Sequence, residues 1–196
     1  MEKTDKSLLD GHRQGDREAF AELVRRHGDS LLGYLMRMSG NREQAEDLLQ
    51  ETFRRVHEKA HTLRGTQFKS WLFSIATRVA IDGVRRRSQM RLVSLNRNLG
   101  CGEQDSGELG KVAAAGNSPD PSQEAIRAEQ KEHVRQAVSL LPVRQRAALV
   151  LTYYQQLSCQ EAAEVMGCSI GTVKTQMYRA LRTLAQRLPD VSGDVA

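Results

Sequence analysis

The stretch "GCSIGTVKTQMYRAL" and the residues just after it carry the chemistry for gripping a polyanion. Thr172, Lys174, Thr175, Tyr178, Arg179 and Arg182 supply hydroxyls, an ammonium and two guanidiniums, at spacings that a helix places on its open face and flanks. No carboxylate interrupts them before Asp190. Ammonium and guanidinium groups pair with phosphate oxygens, and guanidiniums and hydroxyls also hydrogen-bond base edges in a groove. On the other side Val173, Met177, Leu181 and Leu184 recur at i, i+4, i+8 and i+11, which predicts one continuous apolar stripe.

The residues that must position this helix stand directly upstream. Ser158 and Glu161 match a capping box and fix a helix start just after Leu157. Ala163, Gly167 and Val173 then fall at the intervals of a helix-turn-helix: a small residue at the crossing, a glycine for the sharp turn and a β-branched residue packed back on the first helix. Ser169 is placed to cap the second helix. An amphipathic hairpin with a merely solvated basic face has the same periodicity. The coincidence of box, turn, small crossing residue and acid-free face favours DNA binding. "QEAIRAEQKEHVRQAVSLL" and "PVRQRAALVLTYYQQL", with Pro142 at a helix start, supply the packing a lone hairpin lacks.

The first half of the chain has its own signals. In "NREQAEDLLQETFRRVHEKA", Asn41 with Gln44 predicts a cap, and Ala45, Leu48, Leu49, Phe53 and Val56 form the expected buried stripe. Asp47, Gln50, Glu51 and Arg54 are left on the opposite side, where a solvated surface helix is the plain alternative. "FKSWLFSIATRVAIDGVRRRSQMRLVSL" places Trp71, Ile75 and Val79 at helical intervals and ends in Arg85, Arg86, Arg87 and Arg91, with no acid after Asp82. Aromatics beside arginines suit unpaired bases, and a tryptophan at helical spacing equally suits a core.

Composition agrees with a helical, nucleic-acid-binding chain. Hydrophobic residues at 39% support packed cores, while 5% aromatics and four prolines point to small helical ones. Lysine and arginine outnumber aspartate and glutamate by 29 to 24, a balance that suits a polyanionic partner. Cys101, Cys159 and Cys168 form no CxxC pair and no zinc-finger spacing, so they are expected to be reduced thiols, and no metal or cofactor is expected. No apolar run is long enough to cross a bilayer, and "MEKTDKSLLDGHRQGD" is too charged for a signal peptide. A cytoplasmic location without membrane insertion is expected.

Punctuation divides the chain into two helical domains, 1–95 and 122–190, with a tail at 191–196. Residues 96–121 between them are rich in Gly, Ser, Asn and Pro, with acids in the middle, a composition expected to remain a flexible acidic linker. A linker of that length averages roughly 25–30 Å end to end. Sites one to two helical turns apart on DNA lie ~35–70 Å apart. The fold class expected is all-α.

In this order, "AEDLLQETF", "FKSWLFSIATRVAIDGVRRR" and "LPVRQRAALVLTYYQQLSCQEAAEVMGCSIGTVKTQMYRALRTL" resemble regions 2 and 4 of bacterial RNA polymerase sigma factors of the extracytoplasmic-function (ECF) group. The resemblance implies that Asp47, Leu48, Gln50, Glu51 and Phe53 lie on the segment that docks on the polymerase largest subunit, with Phe53 packing. It implies that residues 62–87 open and read the −10 element: Phe68, Lys69 and Trp71 near a pocket for an extruded base, with Arg78, Asp82, Arg85, Arg86 and Arg87 beside them. Thr172, Lys174, Thr175, Tyr178, Arg179 and Arg182 become the −35 contacts. The implied partners are core RNA polymerase, promoter DNA (duplex at −35, melted at −10) and an anti-sigma factor. Two positions depart from the family pattern: Arg78, where Asn is usual, and Gly83, where His or another bulky residue is common.

Two other classes compete. An autonomous helix-turn-helix regulator would bind duplex DNA without polymerase and would usually dimerise on a palindrome. A nucleic-acid enzyme would show clustered carboxylates or a phosphate-binding glycine loop, and neither domain shows one, so no catalytic residue is assigned.

Overall fold

The computed structural model describes residues 3–63, 67–97 and 121–188. Every regular element among them is helical. In the first lobe Thr4 caps α1 (Asp5–Arg13), Asp16 caps α2 (Arg17–Ser39) and Asn41 caps α3 (Arg42–Lys59), each side chain accepting the backbone N–H three residues on. A single 3-10 turn (Ala60–Thr62) ends α3, and the long α4 (Phe68–Arg97) follows. Gly40 closes α2 in the left-handed conformation, φ 78°, which a glycine enters without a Cβ penalty.

The second lobe comprises α5 (Pro121–Ser139), α6 (Val143–Leu149), α7 (Cys159–Met166) and α8 (Ile170–Arg187). Between α6 and α7 the expected continuous helix departs from α geometry. Val150–Tyr154 forms one π turn, closed by the Gln155 N–H on the Val150 carbonyl, and Gln156 then takes φ 54°. The wider turn splays Tyr153 and Tyr154 apart from the buried Val150 and Leu151.

The segment expected as a linker, 96–121, falls mostly outside the described residues, as does the expected tail. Ordered helix nonetheless includes Asn96, Arg97 and Pro121. Leu9, Leu23, Leu31, Leu35, Val56 and Leu72 fill the first lobe, and Ala147, Ala148, Leu151, Ala162, Val173 and Ala180 fill the second. The two sets form one continuous cluster, because α2 and α4 pack directly on elements of the second lobe. A buried hydrogen bond, Tyr34 Oη to Thr77 Oγ1 at 2.7 Å, ties α2 to α4 beneath the edge-on ring of Phe73. Burial pushes the Tyr34 phenol well above its ordinary pKa, so it stays neutral.

Candidate nucleic-acid and polymerase interfaces

On α7 and α8 the local chemistry read from sequence is realised bond by bond. The Ser158 hydroxyl accepts the Glu161 N–H at 3.2 Å, and the Glu161 carboxylate accepts the Ser158 N–H at 2.8 Å. The Ser158 N–H, and then the Ser158 hydroxyl that donates to the same carboxylate at 2.8 Å, hold the Glu161 carboxyl below its usual range, and the Lys69 ammonium of α4 adds to the effect. Gly167, φ 61°, turns the chain, and Ser169 caps α8. The buried stripe differs from the expected one. Val173 and Ala180 are fully buried with Met177 and Leu184 against them, while Leu181 is 52% exposed. A step of eight residues advances about 80° around a helix, whereas 173, 177, 180 and 184 stay within a narrow band.

Opposite that band, Lys174, Thr175, Tyr178, Arg179 and Arg182 are exposed and Thr172 is half-buried. The Thr175 hydroxyl donates its one hydrogen to the Gly171 carbonyl at 2.9 Å, leaving its oxygen outward as an acceptor. An acceptor suits an exocyclic amino group of a base and not a phosphate oxygen.

On α3, Asp47 and Gln50 are exposed and Glu51 is half-exposed, whereas Leu48 and Phe53 are 7% and 8% exposed. Both side chains lie in the lobe's own core, as their place in the expected apolar stripe requires, because α3 turns that side onto α2 and α4. Thr52, buried beside them, satisfies its hydroxyl on the Leu48 carbonyl at 2.6 Å. Leu49, expected in the buried stripe, is only half-buried. The carboxylate of Glu51 accepts from Arg54 (2.8 Å) and Arg55 (2.7 Å), which hold its pKa at about 2.

The expected −10 residues divide among three environments. Arg78 and Arg85 are exposed and share one face of α4 with the half-buried Trp71 and Asp82, as their helical spacing requires. Lys69 and Arg87, about five full turns apart, lie on the opposite face, roughly two and a half turns from Arg78 in each direction. That face meets the second lobe, where Glu161 senses Lys69 and Arg146 senses Arg87. Phe68 is 1% exposed, packed between the rings of His27 (5.2 Å) and Trp71 (5.9 Å). Its ring is a core element supporting Trp71, not a surface for a base.

Residues absent from the expected set complete the picture. Arg55 of α3 and Gln89 of α4 line one surface groove with Asp82, Arg85 and Arg86, three guanidiniums to one carboxylate. The i, i+4 spacing of Glu51 and Arg55 was legible in the sequence, but the groove exists only where α3 crosses α4. Gly83 marks that crossing: a Cβ built on it would lie 3.1 Å from Leu48 Cδ2. A larger residue here would press on the Leu48 side chain packed at this crossing. Among the described residues no cluster of His, Cys, Asp or Glu could hold a metal ion, and no helix is long and apolar enough to cross a membrane.

Comparison with known proteins agrees with this arrangement. Residues 23–90 match the model of sigma-70 region 2, and residues 131–184 match that of sigma-70 region 4. The ECF RNA polymerase sigma factor SigX of Bacillus subtilis (strain 168) is 31% identical over 172 residues, which cover 87% of this chain and 84% of that protein. The chain belongs to the ECF RNA polymerase sigma factors. SigW of the same organism is 29% identical over 192 residues, covering 97% of this chain and all of that protein. This sigma factor shares its fold with the sigma factor RpoE of Bartonella quintana, solved with the anti-sigma factor NepR (TM-score 0.67, 24% identity, 87% of this chain and 97% of that one). CnrH, solved with the cytosolic domain of CnrY, shows the same fold (TM-score 0.65, 23% identity, 95% and 98% covered). As a sigma factor it is a transcription initiation factor, and the autonomous-regulator reading is not favoured.

Proposed function

We propose a division of labour among three helices of this sigma factor. The exposed Asp47, Gln50 and Glu51 of α3 dock on core polymerase. The Trp71, Arg78, Asp82 and Arg85 face of α4, with Arg86 and Arg55 in the adjoining groove, receives the melted −10 strand. The Thr172, Lys174, Thr175, Tyr178, Arg179 and Arg182 face of α8 reads the −35 duplex. The observation that carries the reading is the α8 face: capped by Ser169, held by buried Val173, and free of carboxylates on its solvent side. Unpaired bases held by stacking on Trp71 and by hydrogen bonds offset the cost of unpairing. Nucleotide chemistry belongs to the polymerase, and no catalysis or cofactor is assigned to this chain.

An anti-sigma factor is a further partner, since the fold neighbours RpoE and CnrH were solved with NepR and CnrY. The protein acts in the bacterial cytoplasm, where the polymerase is. Run-off transcription tests the reading: purified core polymerase plus this chain should start transcripts from a defined promoter. Sequence-specific binding of duplex promoter by the free chain, with no transcripts on adding core, would overturn it.

A further inference from the structure

The chain's one tryptophan, Trp71, stands in the first turn of α4 and is half-buried. Its N–H donates to the Gln67 carbonyl at 3.2 Å, and its own carbonyl accepts the Ser74 hydroxyl at 2.7 Å. The first N–H groups of a helix have no intrahelical partners, and the turn frays unless side chains anchor it. Phe68, the first residue of α4, is such an anchor. Its buried ring lies 5.9 Å from the Trp71 ring and 5.2 Å from the imidazole of His27 on α2, centre to centre. His27 is held in turn from α1. Its Nε2 lies 2.9 Å from Asp5 Oδ2, and because a carboxylate only accepts, Nε2 carries a proton and donates it. The other oxygen of Asp5 faces Arg26 Nη1 at 3.4 Å, and that nitrogen also donates to the Lys3 carbonyl at 2.7 Å. One line of contacts thus runs from Asp5 through His27 and Phe68 to Trp71, across three helices.

We infer that Asp5 and His27 are positioning residues for the −10 strand: through Phe68 they fix the Trp71 ring against which an unpaired base stacks, and neither touches DNA. The inference rests on the reading of Trp71 given above. Stacking needs a ring face held toward the strand, and a ring already held gives up less freedom when the base arrives. The His27–Asp5 pair suits holding better than stabilising. With side chains 16% and 28% exposed, it adds little to the stability of the lobe. What the hydrogen bond does is stop rotation of the imidazole, which is pinned at Nε2 by Asp5 and packed on its other side by Phe68. Phe68, 1% exposed, sits in close-packed surroundings and passes that constraint on to Trp71. A binding geometry is kept only where the residues behind it are themselves locked by packing and hydrogen bonds, and this line supplies both.

Asp5→Ala removes the tether and leaves the three rings in place, while Asp5→Asn restores an acceptor for Nε2 without the charge. Tryptophan emission of the free full-length chain reports Trp71 alone. Asp5→Ala should move that emission to longer wavelength and make it easier to quench with acrylamide, and Asp5→Asn should stay near the parent. In the holoenzyme, anisotropy titration of a labelled single-stranded −10 oligonucleotide at fixed salt should show Asp5→Ala binding several-fold more weakly, with affinity for core polymerase unchanged. Trp71→Leu keeps an apolar side chain on the core and removes the ring, with helicity checked by circular dichroism. In that background Asp5→Ala should cost nothing further, because a residue that acts through another loses its effect with it. Unmoved Trp71 emission in Asp5→Ala overturns the inference, and so does an equal loss of oligonucleotide binding in both backgrounds, the mark of a lobe merely loosened. Weaker binding by Trp71→Leu with none by Asp5→Ala overturns the positioning role alone. Undiminished binding by Trp71→Leu overturns the stacking reading of Trp71, and the inference with it.

Discussion

Arg55 bridges two surfaces: its Nε lies 2.7 Å from the carboxylate of Glu51 on the outer side of α3, and its side chain lines the groove with Asp82, Arg85 and Arg86 of α4. A polymerase that engages Glu51 competes for Arg55, and DNA in the groove does the same from the other side. Asp47→Lys should weaken association with core polymerase and leave binding of −35 duplex by the second lobe's face unchanged, as fluorescence titration against each partner would measure. Arg55→Ala should weaken binding of a single-stranded −10 oligonucleotide by the holoenzyme and shallow the salt slope by about 0.7. An unchanged slope would remove Arg55 from the DNA path.

Gly83 and Gly28 give opposite expectations for one substitution. Both lie inside helices, where alanine in place of glycine gains roughly 0.5–1 kcal/mol. Nothing lies within 4 Å of a Cβ at Gly28, so Gly28→Ala should realise that gain in urea unfolding. At Gly83 the Cβ would press on buried Leu48, and overpacking costs about 1–3 kcal/mol, so Gly83→Ala should lower stability. Leu48→Ala should cost about 2–5 kcal/mol, and Leu49→Ala less, because Leu49 is only half-buried.

On α8, Arg179→Ala and Lys174→Ala separate base reading from backbone attraction. A base-edge contact should shift −35 preference by ~1–3 kcal/mol, while a phosphate contact should lower affinity uniformly and shallow the salt slope by about one. Thr175→Val removes an outward acceptor and no charge, so it should change sequence preference at constant slope. Competition binding with single-base variants of the −35 element, repeated at several salt concentrations, reads both quantities. A face that is only solvated would show neither change.

The imidazole of His12 stacks 4.5 Å from Phe20 and 4.9 Å from His57, and burial, then the neighbouring His57, lowers its pKa. A histidine depressed in the folded state binds its proton more readily when unfolded, so its contribution to stability is present above the unfolded pKa, about 6.5, and is lost as pH falls below that. The first lobe should therefore melt at a lower temperature at pH 5.5 than at pH 7.5. His12→Gln should flatten that difference, and a scan of Tm against pH for both proteins checks it.

The local rules of the chain were readable from its residues. Asn41, Ser158, Glu161, Gly167 and Ser169 act within three or four residues of themselves, so capping and turning follow from spacing alone. The same holds for the open face of α8, whose residue types and period needed no neighbour to define them. Where sequence reasoning failed, a second helix was the arbiter. Leu181 and Ala180 are both plausible stripe members until α6 packs on one side of α8 and buries the smaller one. Leu48 and Phe53 are buried as the apolar stripe predicts, whereas Phe68 looked available to a base because helical periodicity does not say how wide the buried face is.

Sequence by itself determined the helical class, the caps, the helix-turn-helix and the family, because each rests on short-range spacing or on matched segments. Tertiary structure alone decided three things: that Lys69 and Arg87 turn toward the second lobe, that Arg55 joins α4 in one basic groove, and that Arg146 is buried where it donates to the Met38 carbonyl of α2. The physical reason is common to all three. A charged side chain takes its role from the surface that meets it, and Met38 lies 108 residues from Arg146 along the chain, beyond the reach of any local pattern.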